Sequence, residues 1–354
     1  MSDSLLMLFP AQKRSFWTYV AEEEKGLQEI RLRLGRPVVL IRQGEEVFLN
    51  KQGRFTSRLS EAYLADKQDL EGLLLHICNY SLYAFEDEIR QGFITVKGGH
   101  RVGIAGQVVL GENGQVQNIK HISYINIRIA HEVIGAADKV LPLIYKEGQP
   151  LNTLIISPPG CGKTTLLRDL IRQVSDGNPY GKGVCVGVVD ERSELAGSYL
   201  GVAQNDLGCR SDVLDACPKK LGMMLLLRSM APKVIAIDEL AGEEDMEALK
   251  AAAACGSKVI ATIHGENIQD AERKFGVRDI LRKDLFDVYI LLGKSNGTCK
   301  VLETYRRKEE DVEAFGSSAD WSRMLGVRTL EKRAALCAGE SAERIAPYSY
   351  VAAE

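Results

Sequence analysis

Residues 157–165 combine glycine, lysine and threonine at a spacing that suits phosphate binding. The run reads Ser157-Pro158-Pro159-Gly160-Cys161-Gly162-Lys163-Thr164-Thr165 and follows an apolar segment. Glycines let backbone N–H groups turn toward phosphate oxygens, and a helix that starts there adds the partial positive charge of its N-terminus. Lys163 is expected to reach the β- and γ-phosphates of a nucleotide, and Thr164 to offer its hydroxyl to Mg²⁺. We therefore predict that the whole run binds ATP together with Mg²⁺.

One position departs from the usual G-x-x-x-x-G-K-[ST] pattern of such loops, because Ser157 stands where the first glycine is expected. That position ends the preceding strand, where a positive φ is not needed, so we expect serine to serve there. A chance Gly-Lys-Thr in a loop is the alternative interpretation, and the strand–loop–helix setting disfavours it.

A second carboxylate-bearing segment follows the apolar run Val234-Ile235-Ala236-Ile237. Ligands of open α/β sheets bind at the carboxyl ends of the strands, which is where this run delivers Asp238 and Glu239. We expect Asp238 to hold Mg²⁺ through water and Glu239 to polarise the attacking water. A carboxylate that simply starts a helix is the alternative, and the preceding phosphate loop favours the catalytic interpretation.

Two further strand ends carry polar residues that are candidates for catalysis. Asp190 and Glu191 end one apolar run and are predicted to help orient the water or Mg²⁺, although a structural Asp–Arg pair would also suit Asp190-Glu191-Arg192. His264 ends the run Ala261-Thr262-Ile263-His264, where it is expected to sense the γ-phosphate. A histidine at a strand end commonly has a structural role. The other candidate residues at neighbouring strand ends favour a catalytic role for His264.

The elements that must position these residues alternate between strand and helix from residue 151 onward. Several of the strands are continuously apolar and β-branched, which is typical of parallel strands covered on both faces. The sequence therefore predicts a doubly wound α/β domain with a mostly parallel sheet. The predicted strands are Asn152–Ser157, Val184–Val189, Val234–Asp238, Lys258–Ile263 and Asp287–Leu292, and the predicted helices are Lys163–Val174, Leu221–Met230 and Glu243–Cys255.

The sequence pattern before this domain predicts a smaller α+β domain. Alternating or apolar runs predict strands over Leu27–Leu34 and Val38–Arg42, and helical spacing of leucines predicts a helix over Asp69–Tyr83. Gly98-Gly99 lies between two apolar segments and predicts a β-hairpin, since paired glycines supply the positive φ that a two-residue turn needs.

A chain of 354 residues is long enough for two domains. We expect an α+β domain over residues 1–135, a linker helix over 136–150 and the nucleotide-binding domain over 151–306. The remaining residues, 307–354, are expected to form a polar, helical and partly disordered tail.

Composition limits the classes of function. A net charge of −3 and a pI near 6.1 argue against a nucleic-acid-binding surface over the whole chain. The eight cysteines form no CxxC pair, so we expect reduced thiols in a cytosolic protein. The apolar runs Leu221–Leu227 and Leu5–Pro10 fall well short of the roughly 20 residues of a membrane span, so any membrane association is expected to come through partners.

The phosphate loop, the Asp/Glu cluster and the Ala-Thr-Ile-His string together resemble the type II/type IV secretion ATPase superfamily. Within that superfamily, four longer strings resemble the stage III sporulation AA family of endospore-forming bacteria. The resemblance runs from about residue 25 to 305 and is carried by Leu27–Pro37, Gly98–Gly106, Val189–Gly197 and Gln204–Pro218.

The resemblance implies a RecA/AAA-like P-loop core in a ring-forming hexamer that hydrolyses ATP with Mg²⁺. It implies a location in the cytoplasm of the mother cell, peripheral to a membrane. The partners implied are membrane proteins of a channel or secretion-like complex around the developing spore. The N-terminal domain of such ATPases supplies arginines near the γ-phosphate, for which Arg101 and Arg128 are the matching candidates.

Two other classes remain as alternatives. A nucleic-acid-dependent ATPase is one, because related plastid and cyanobacterial proteins join similar cores to a nucleic-acid-binding appendage. The net acidic chain and the lack of an Arg-x-x-x-His module in its tail disfavour it, so no direct nucleic-acid partner is expected. A small-molecule kinase is the other, and the Asp238-Glu239 pair favours hydrolysis over transfer.

Overall fold

The computed structural model describes residues 2–240, 243–267, 270–271, 285–295 and 298–306. The chain divides into two compact units. Among the described residues, the first comprises 2–131 and the segment Gly197–Asn205, and the second comprises Glu132–Ala196 and those from Asp206 to Arg306. The sequence pattern did not predict that 197–205 would group with the first unit. The predicted tail, 307–354, lies outside the described residues.

The first unit is a seven-stranded antiparallel sheet covered by short helices. The elements are α1 (Ser2–Leu6), α2 (Arg14–Glu22), β1 (Leu27–Arg33), β2 (Val39–Arg42), β3 (Glu45–Leu49), β4 (Phe55–Thr56), α3 (Lys67–Ile77), α4 (Glu86–Gln91), β5 (Phe93–Thr95), β6 (Arg101–Leu110) and β7 (Val116–Arg128). Single turns of 3₁₀ helix occur at Ala11–Lys13, Leu59–Glu61 and Leu82–Phe85. The strand order is β4-β3-β2-β1-β7-β6-β5.

Side-chain alternation gives this sheet one buried face. On β1, Ile30 and Leu32 are buried in the core, whereas the neighbouring Arg31 is only half-buried. The predicted helix over 69–83 is shorter and starts earlier, as α3. The Asp66 side chain caps its first turn, and positive φ angles soon after its end, at Asn79 and Tyr80, are incompatible with continuing the helix.

The predicted β-hairpin is confirmed, with a longer turn. Strand β5 pairs with β6, and the Val96 N–H donates to the His100 carbonyl at 2.9 Å. Three residues therefore form the turn instead of two. Gly98 and Gly99 have φ angles of +90° and +74°, so both use the conformation for which glycine was expected.

The second unit is built on a seven-stranded sheet in which only the last strand is antiparallel. The elements are β8 (Tyr145–Lys146), β9 (Gln149–Pro150), β10 (Thr153–Ser157), α5 (Lys163–Asp176), β11 (Gly177–Asn178), β12 (Gly181–Lys182), β13 (Val186–Asp190), β14 (Ser211–Asp215), α6 (Lys219–Ser229), β15 (Val234–Ile237), α7 (Glu243–Ala254), β16 (Lys258–His264), β17 (Val288–Ser295) and β18 (Thr298–Arg306). The sheet order is β14-β13-β15-β16-β10-β17-β18, and every neighbouring pair except β17–β18 is parallel.

Burial on both faces explains why the central strands are apolar throughout. All residues of β10, β13 and β15 are buried. The chain crosses from β10 to β13 and returns through β15 to β16, which lies directly beside β10. The carboxyl ends of these parallel strands therefore meet at one edge of the sheet, where a ligand site is expected.

The linker helix predicted over 136–150 is not present. The segment contains a single 3₁₀ turn at Leu141–Leu143, followed by a hairpin of β8 and β9. Glu147 and Gly148 join these strands with φ angles of +52° and +78°. Two successive positive φ angles make the tight turn of a β-hairpin, which a continuous helix cannot contain.

None of the helices within the described residues is both long and apolar enough to cross a membrane.

Candidate nucleotide-binding site

The loop between β10 and α5 has the backbone of a phosphate cradle. Gly160 and Gly162 adopt φ angles of +67° and +76°, and α5 begins at Lys163. Ser157 lies within β10, is fully buried, and donates its hydroxyl to the Pro158 carbonyl at 2.8 Å. A strand conformation needs no glycine, which explains why serine occupies that position.

Thr164 and Asp238 come together from two different elements. The Thr164 hydroxyl donates to Asp238 Oδ2 at 2.8 Å, and the Thr262 hydroxyl donates to Asp238 Oδ1. Carboxylate and hydroxyl oxygens are ligands that Mg²⁺ accepts, usually with waters and substrate phosphates completing the shell. Within the described part of the chain, no cluster of three or more acidic, histidine or cysteine side chains could hold a metal alone. The pair therefore fits a metal that arrives with a nucleotide.

Glu239 accepts contacts from three nitrogen-bearing side chains. Lys163 Nζ lies 2.7 Å and His264 Nε2 lies 2.8 Å from its Oε1, and Arg192 Nη1 lies 2.9 Å from its Oε2. Partial burial raises the pKa of Glu239, but the hydrogen bond and charge of Lys163, with His264 and Arg192, outweigh burial and hold the pKa below its ordinary value. The carboxylate is therefore ionised at neutral pH.

Thr262 connects the two carboxylates and was not predicted as a site residue. Its hydroxyl accepts a hydrogen bond from the Glu239 N–H at 2.9 Å while donating to Asp238. The contact arises because β16 lies beside β15 in parallel register, with Ile237 opposite Ala261. The Ala-Thr-Ile-His string contained the signal, since it places a hydroxyl one residue beyond the point opposite Ile237.

The sheet register also brings His264 to the phosphate loop. His264 pairs with Ser157 across β16 and β10, so the last residue of one strand lies beside the first residue of the loop. The predicted grouping of these strand ends is thus observed, and a role for His264 in sensing the γ-phosphate stays a prediction.

Asp190 is buried and holds a loop. Its two carboxylate oxygens accept hydrogen bonds from the N–H groups of Glu194, Leu195 and Ala196 at 2.9, 3.0 and 2.8 Å. Burial raises the pKa of Asp190 to about 6, because desolvation outweighs these three hydrogen bonds. No Asp190–Arg192 ion pair is found between these two described residues, because Arg192 pairs with Glu239 instead.

Glu191, the neighbour of Asp190, forms an ion pair with Lys219 at the start of α6. Both carboxylates line a small cavity together with Asp238 and Glu239. The four predicted acidic residues therefore line the same cavity. That Asp190 and Glu191 act on water or Mg²⁺ remains a prediction.

Arg168 also binds the loop that Asp190 holds, residues 194–196. It lies on α5, one turn after Thr164, and its guanidinium donates to the Leu195 carbonyl at 2.9 Å and the Glu194 carbonyl at 2.7 Å. Asp190 thus binds the N–H groups of this loop and Arg168 its carbonyls. The loop is held against the helix that begins at Lys163.

Arg101 and Arg128 belong to the first unit and face each other across β6 and β7. The Arg101 guanidinium lies 3.6 Å from the centre of the Phe93 ring. Arg128 is exposed, and its Nε lies 3.4 Å from Glu29 Oε1. Their predicted position near the γ-phosphate stays a prediction.

The family model "Sporulation stage III, protein AA" matches residues 3–312. The chain belongs to this family. Stage III sporulation protein AA of Bacillus subtilis (strain 168) is 42% identical over 303 residues, which cover 86% of this chain and 91% of that protein. Protein SEEDLING PLASTID DEVELOPMENT 1 of Arabidopsis thaliana is 30% identical over 152 residues, covering 41% of this chain and only 20% of that protein.

Solved structures show the same fold. The ATPase DotB of Legionella pneumophila superposes with a TM-score of 0.54 at 17% identity, over 84% of this chain and 81% of that one. The pilus retraction motor PilT with bound ADP gives 0.55 at 18% identity, over 83% of each chain. The predicted fold class, a RecA/AAA-like core with a mostly parallel sheet after a smaller α+β domain, is confirmed.

Proposed function

We propose that this chain is a Mg²⁺-dependent ATPase that energises a membrane-spanning, secretion-like complex during endospore formation. One observation carries the enzymatic part of the proposal. The phosphate-loop residues Lys163 and Thr164 lie within 2.7 and 2.8 Å of Glu239 and Asp238, respectively. Lysine, hydroxyl and two carboxylates at the end of a parallel sheet are the groups that phosphoryl transfer to water requires.

The nucleotide would bind through the loop at the start of α5. Backbone N–H groups around Gly160 and Gly162 would surround the phosphates, and Lys163 would donate to β- and γ-phosphate oxygens. Thr164 and Asp238 would hold Mg²⁺, which supplies charge neutralisation on those oxygens. Lys163 must then exchange its present partner, Glu239, for the nucleotide.

Glu239 would act on the attacking water. Its carboxylate is ionised and half-buried, and its backbone N–H is held by Thr262. Once Lys163 turns to the phosphates, Oε1 is released to accept a proton from water. His264, whose Nε2–H donates to the same oxygen, would follow the change and so sense whether the γ-phosphate is present.

We also propose that one of Arg101 and Arg128 completes the site in a homohexameric ring, acting in its own chain or across a subunit boundary. A guanidinium near the γ-phosphate would stabilise the charge that develops in the transition state. In this proposal the ring lies at the cytoplasmic side of the mother-cell membrane and acts on membrane proteins of the sporulation complex. Family membership supports the sporulation setting.

The test is phosphate release from ATP by the purified chain, with Mg²⁺ and with the metal chelated. Metal-dependent turnover, stimulated by soluble fragments of a sporulation membrane protein and not by nucleic acid, is the expected result. Stimulation by RNA or DNA alone would instead favour the nucleic-acid-dependent ATPase. Measuring the mass in solution with ATP tests the hexamer.

A further inference from the structure

Arg192 and Lys163 both contact the carboxylate of Glu239. Lys163 Nζ contacts one oxygen of Glu239 at 2.7 Å, and Arg192 Nη1 contacts the other at 2.9 Å. His264 Nε2 lies 2.8 Å from the oxygen that Lys163 holds. Three nitrogen groups thus surround one anion, and the anion is a side chain of the protein itself.

The loop that carries Arg192 is held more firmly than a surface ion pair would need. Asp190 accepts from three consecutive N–H groups of the loop, and half-buried Arg168 binds two of its carbonyls. Since Arg168 lies on α5, the loop is tied to the helix that begins at Lys163. Arg192 lies two residues before this clamped segment, Glu194–Ala196, so its backbone is tied to α5.

Positive φ angles occur at one partner of the ion pair and at the residue next to the other. Glu239 has a φ of +59°, and Ser193, the neighbour of Arg192, has a φ of +54°. Non-glycine residues in this region cost free energy, and such strain is retained mainly where the surroundings enforce it and function uses it. The Ser193 hydroxyl is additionally fixed by Asp215 at 2.7 Å.

We propose that Arg192 binds the γ-phosphate of the bound nucleoside triphosphate, and so distinguishes triphosphate from diphosphate. This rests on the proposed nucleotide site. Lys163 must meet phosphate oxygens when nucleotide binds, so its present anionic partner marks where phosphate charge arrives. Arg192 and Lys163 hold two oxygens of one carboxylate, and a phosphate offers two oxygens at a similar separation. The γ-phosphate takes over both contacts from Glu239, whose carboxylate is thereby released.

An exposed ion pair with no role in binding is the competing account. The Arg192 side chain is 62% exposed, and exposed pairs contribute little to stability. That account leaves the clamped loop and the two strained residues unexplained. It also predicts that removing Arg192 changes nothing, which makes the two accounts separable.

The experiment measures the affinity of the full chain, with Mg²⁺, for a non-hydrolysable fluorescent ATP analogue and for the matching ADP analogue. The variants are Arg192→Ala and Arg192→Lys. Arg58→Ala is the matched control, because Arg58 is also exposed and also pairs with a glutamate, Glu61, at 2.9 Å. Far-UV circular dichroism checks that each variant is folded.

In Arg192→Ala, affinity for the triphosphate analogue is expected to fall about ten- to hundredfold, the usual effect of losing a hydrogen bond to a charged group. Affinity for the diphosphate analogue should stay within about twofold of wild type, since only the γ-phosphate contact is lost. Arg192→Lys should retain part of the difference, and Arg58→Ala should bind both analogues as wild type does.

Equal weakening of both analogues, or no change in either, overturns the proposal. Slower hydrolysis with unchanged triphosphate affinity also overturns it, because Arg192 would then position Glu239 and not bind phosphate. A wild-type chain that binds neither analogue would instead remove the proposed nucleotide site as a whole. Failure of the wider function and failure of this inference therefore give different results.

Discussion

Replacing Glu239 with glutamine is expected to separate nucleotide binding from hydrolysis. Glutamine keeps the size and hydrogen-bonding shape of the side chain but cannot accept a proton as a base. Losing a general base usually lowers the rate by about 10²- to 10⁴-fold. We therefore expect Glu239→Gln to bind ATP and almost cease to hydrolyse it.

The structure adds a second and less obvious expectation, that this variant binds ATP more tightly than wild type. In the wild-type chain ATP must take Lys163 away from Glu239, and the two side chains are only 11% and 17% exposed, so water screens their attraction poorly. Hydrogen bonds between charged groups contribute about 1.5–3 kcal/mol. Removing this competition should strengthen ATP binding by about tenfold or more.

Two assays check the pair of expectations. Isothermal titration calorimetry with Mg²⁺ and a non-hydrolysable ATP analogue gives the affinity, and a phosphate-release assay gives kcat. Wild-type kcat in Glu239→Gln, combined with an inactive Asp190→Asn or Glu191→Gln, would refute the reasoning and assign the base to the other carboxylates. Weaker ATP binding in Glu239→Gln would refute the competition between Glu239 and the phosphates for Lys163.

Three further predictions concern other parts of the site. Lys163→Ala should abolish hydrolysis and weaken ATP binding while the circular dichroism spectrum stays native, and normal turnover would remove the whole assignment. Arg101→Ala or Arg128→Ala should lower kcat by at least about tenfold with little change in ATP affinity; if the arginine acts across subunits, mixing that variant with Lys163→Ala chains should restore some turnover, whereas wild-type turnover in both single variants excludes the idea. The pKa of Asp190 is raised to about 6 in the folded chain, so the folded state binds a proton at this carboxyl more tightly than the unfolded state does. The stability that this proton contributes is therefore present near pH 4 and is lost as the pH rises through 6. Urea denaturation should therefore show Asp190→Asn gaining about 2 kcal/mol relative to wild type between pH 4 and pH 7, and a difference that does not vary with pH would show that Asp190 is not shifted.

The secondary structure of the second unit was predictable where burial imposes an unbroken apolar run. Helix α5 and strand β16 differ from their predicted bounds by one or two residues. Strand β14 was missed, because its sequence Ser-Asp-Val-Leu-Asp alternates weakly and every residue is half-buried. Strand β18 was missed as well, since Thr298–Arg306 gains its partner only by pairing antiparallel with β17.

Local conformation explains two of the errors. The predicted linker helix failed because Glu147-Gly148 adopts a hairpin turn. The helix predicted over 69–83 ended early because Asn79 and Tyr80 turn the chain. A non-glycine residue with positive φ is uncommon, so composition alone gives little warning of it.

Sequence by itself was enough to predict the phosphate loop, because its nine residues are contiguous and its backbone, with positive φ at Gly160 and Gly162, is shaped by residues within the run. It also predicted that Asp238, Glu239 and His264 lie at the ends of strands, since an apolar run that stops at a polar residue is a local pattern. Both predictions rest on local sequence and need no knowledge of the strand order.

Only the tertiary structure decided which of these strand ends meet and what each side chain does there. The placement of β16 between β15 and β10 brings Thr262 to Asp238 and His264 to Glu239, and strand order is set by packing across the whole sheet. Buried Asp190 accepts hydrogen bonds from the loop that follows it, and Arg192 in the same segment pairs with Glu239. Contacts between residues distant in the chain depend on the three-dimensional path, which spacing along the sequence does not contain.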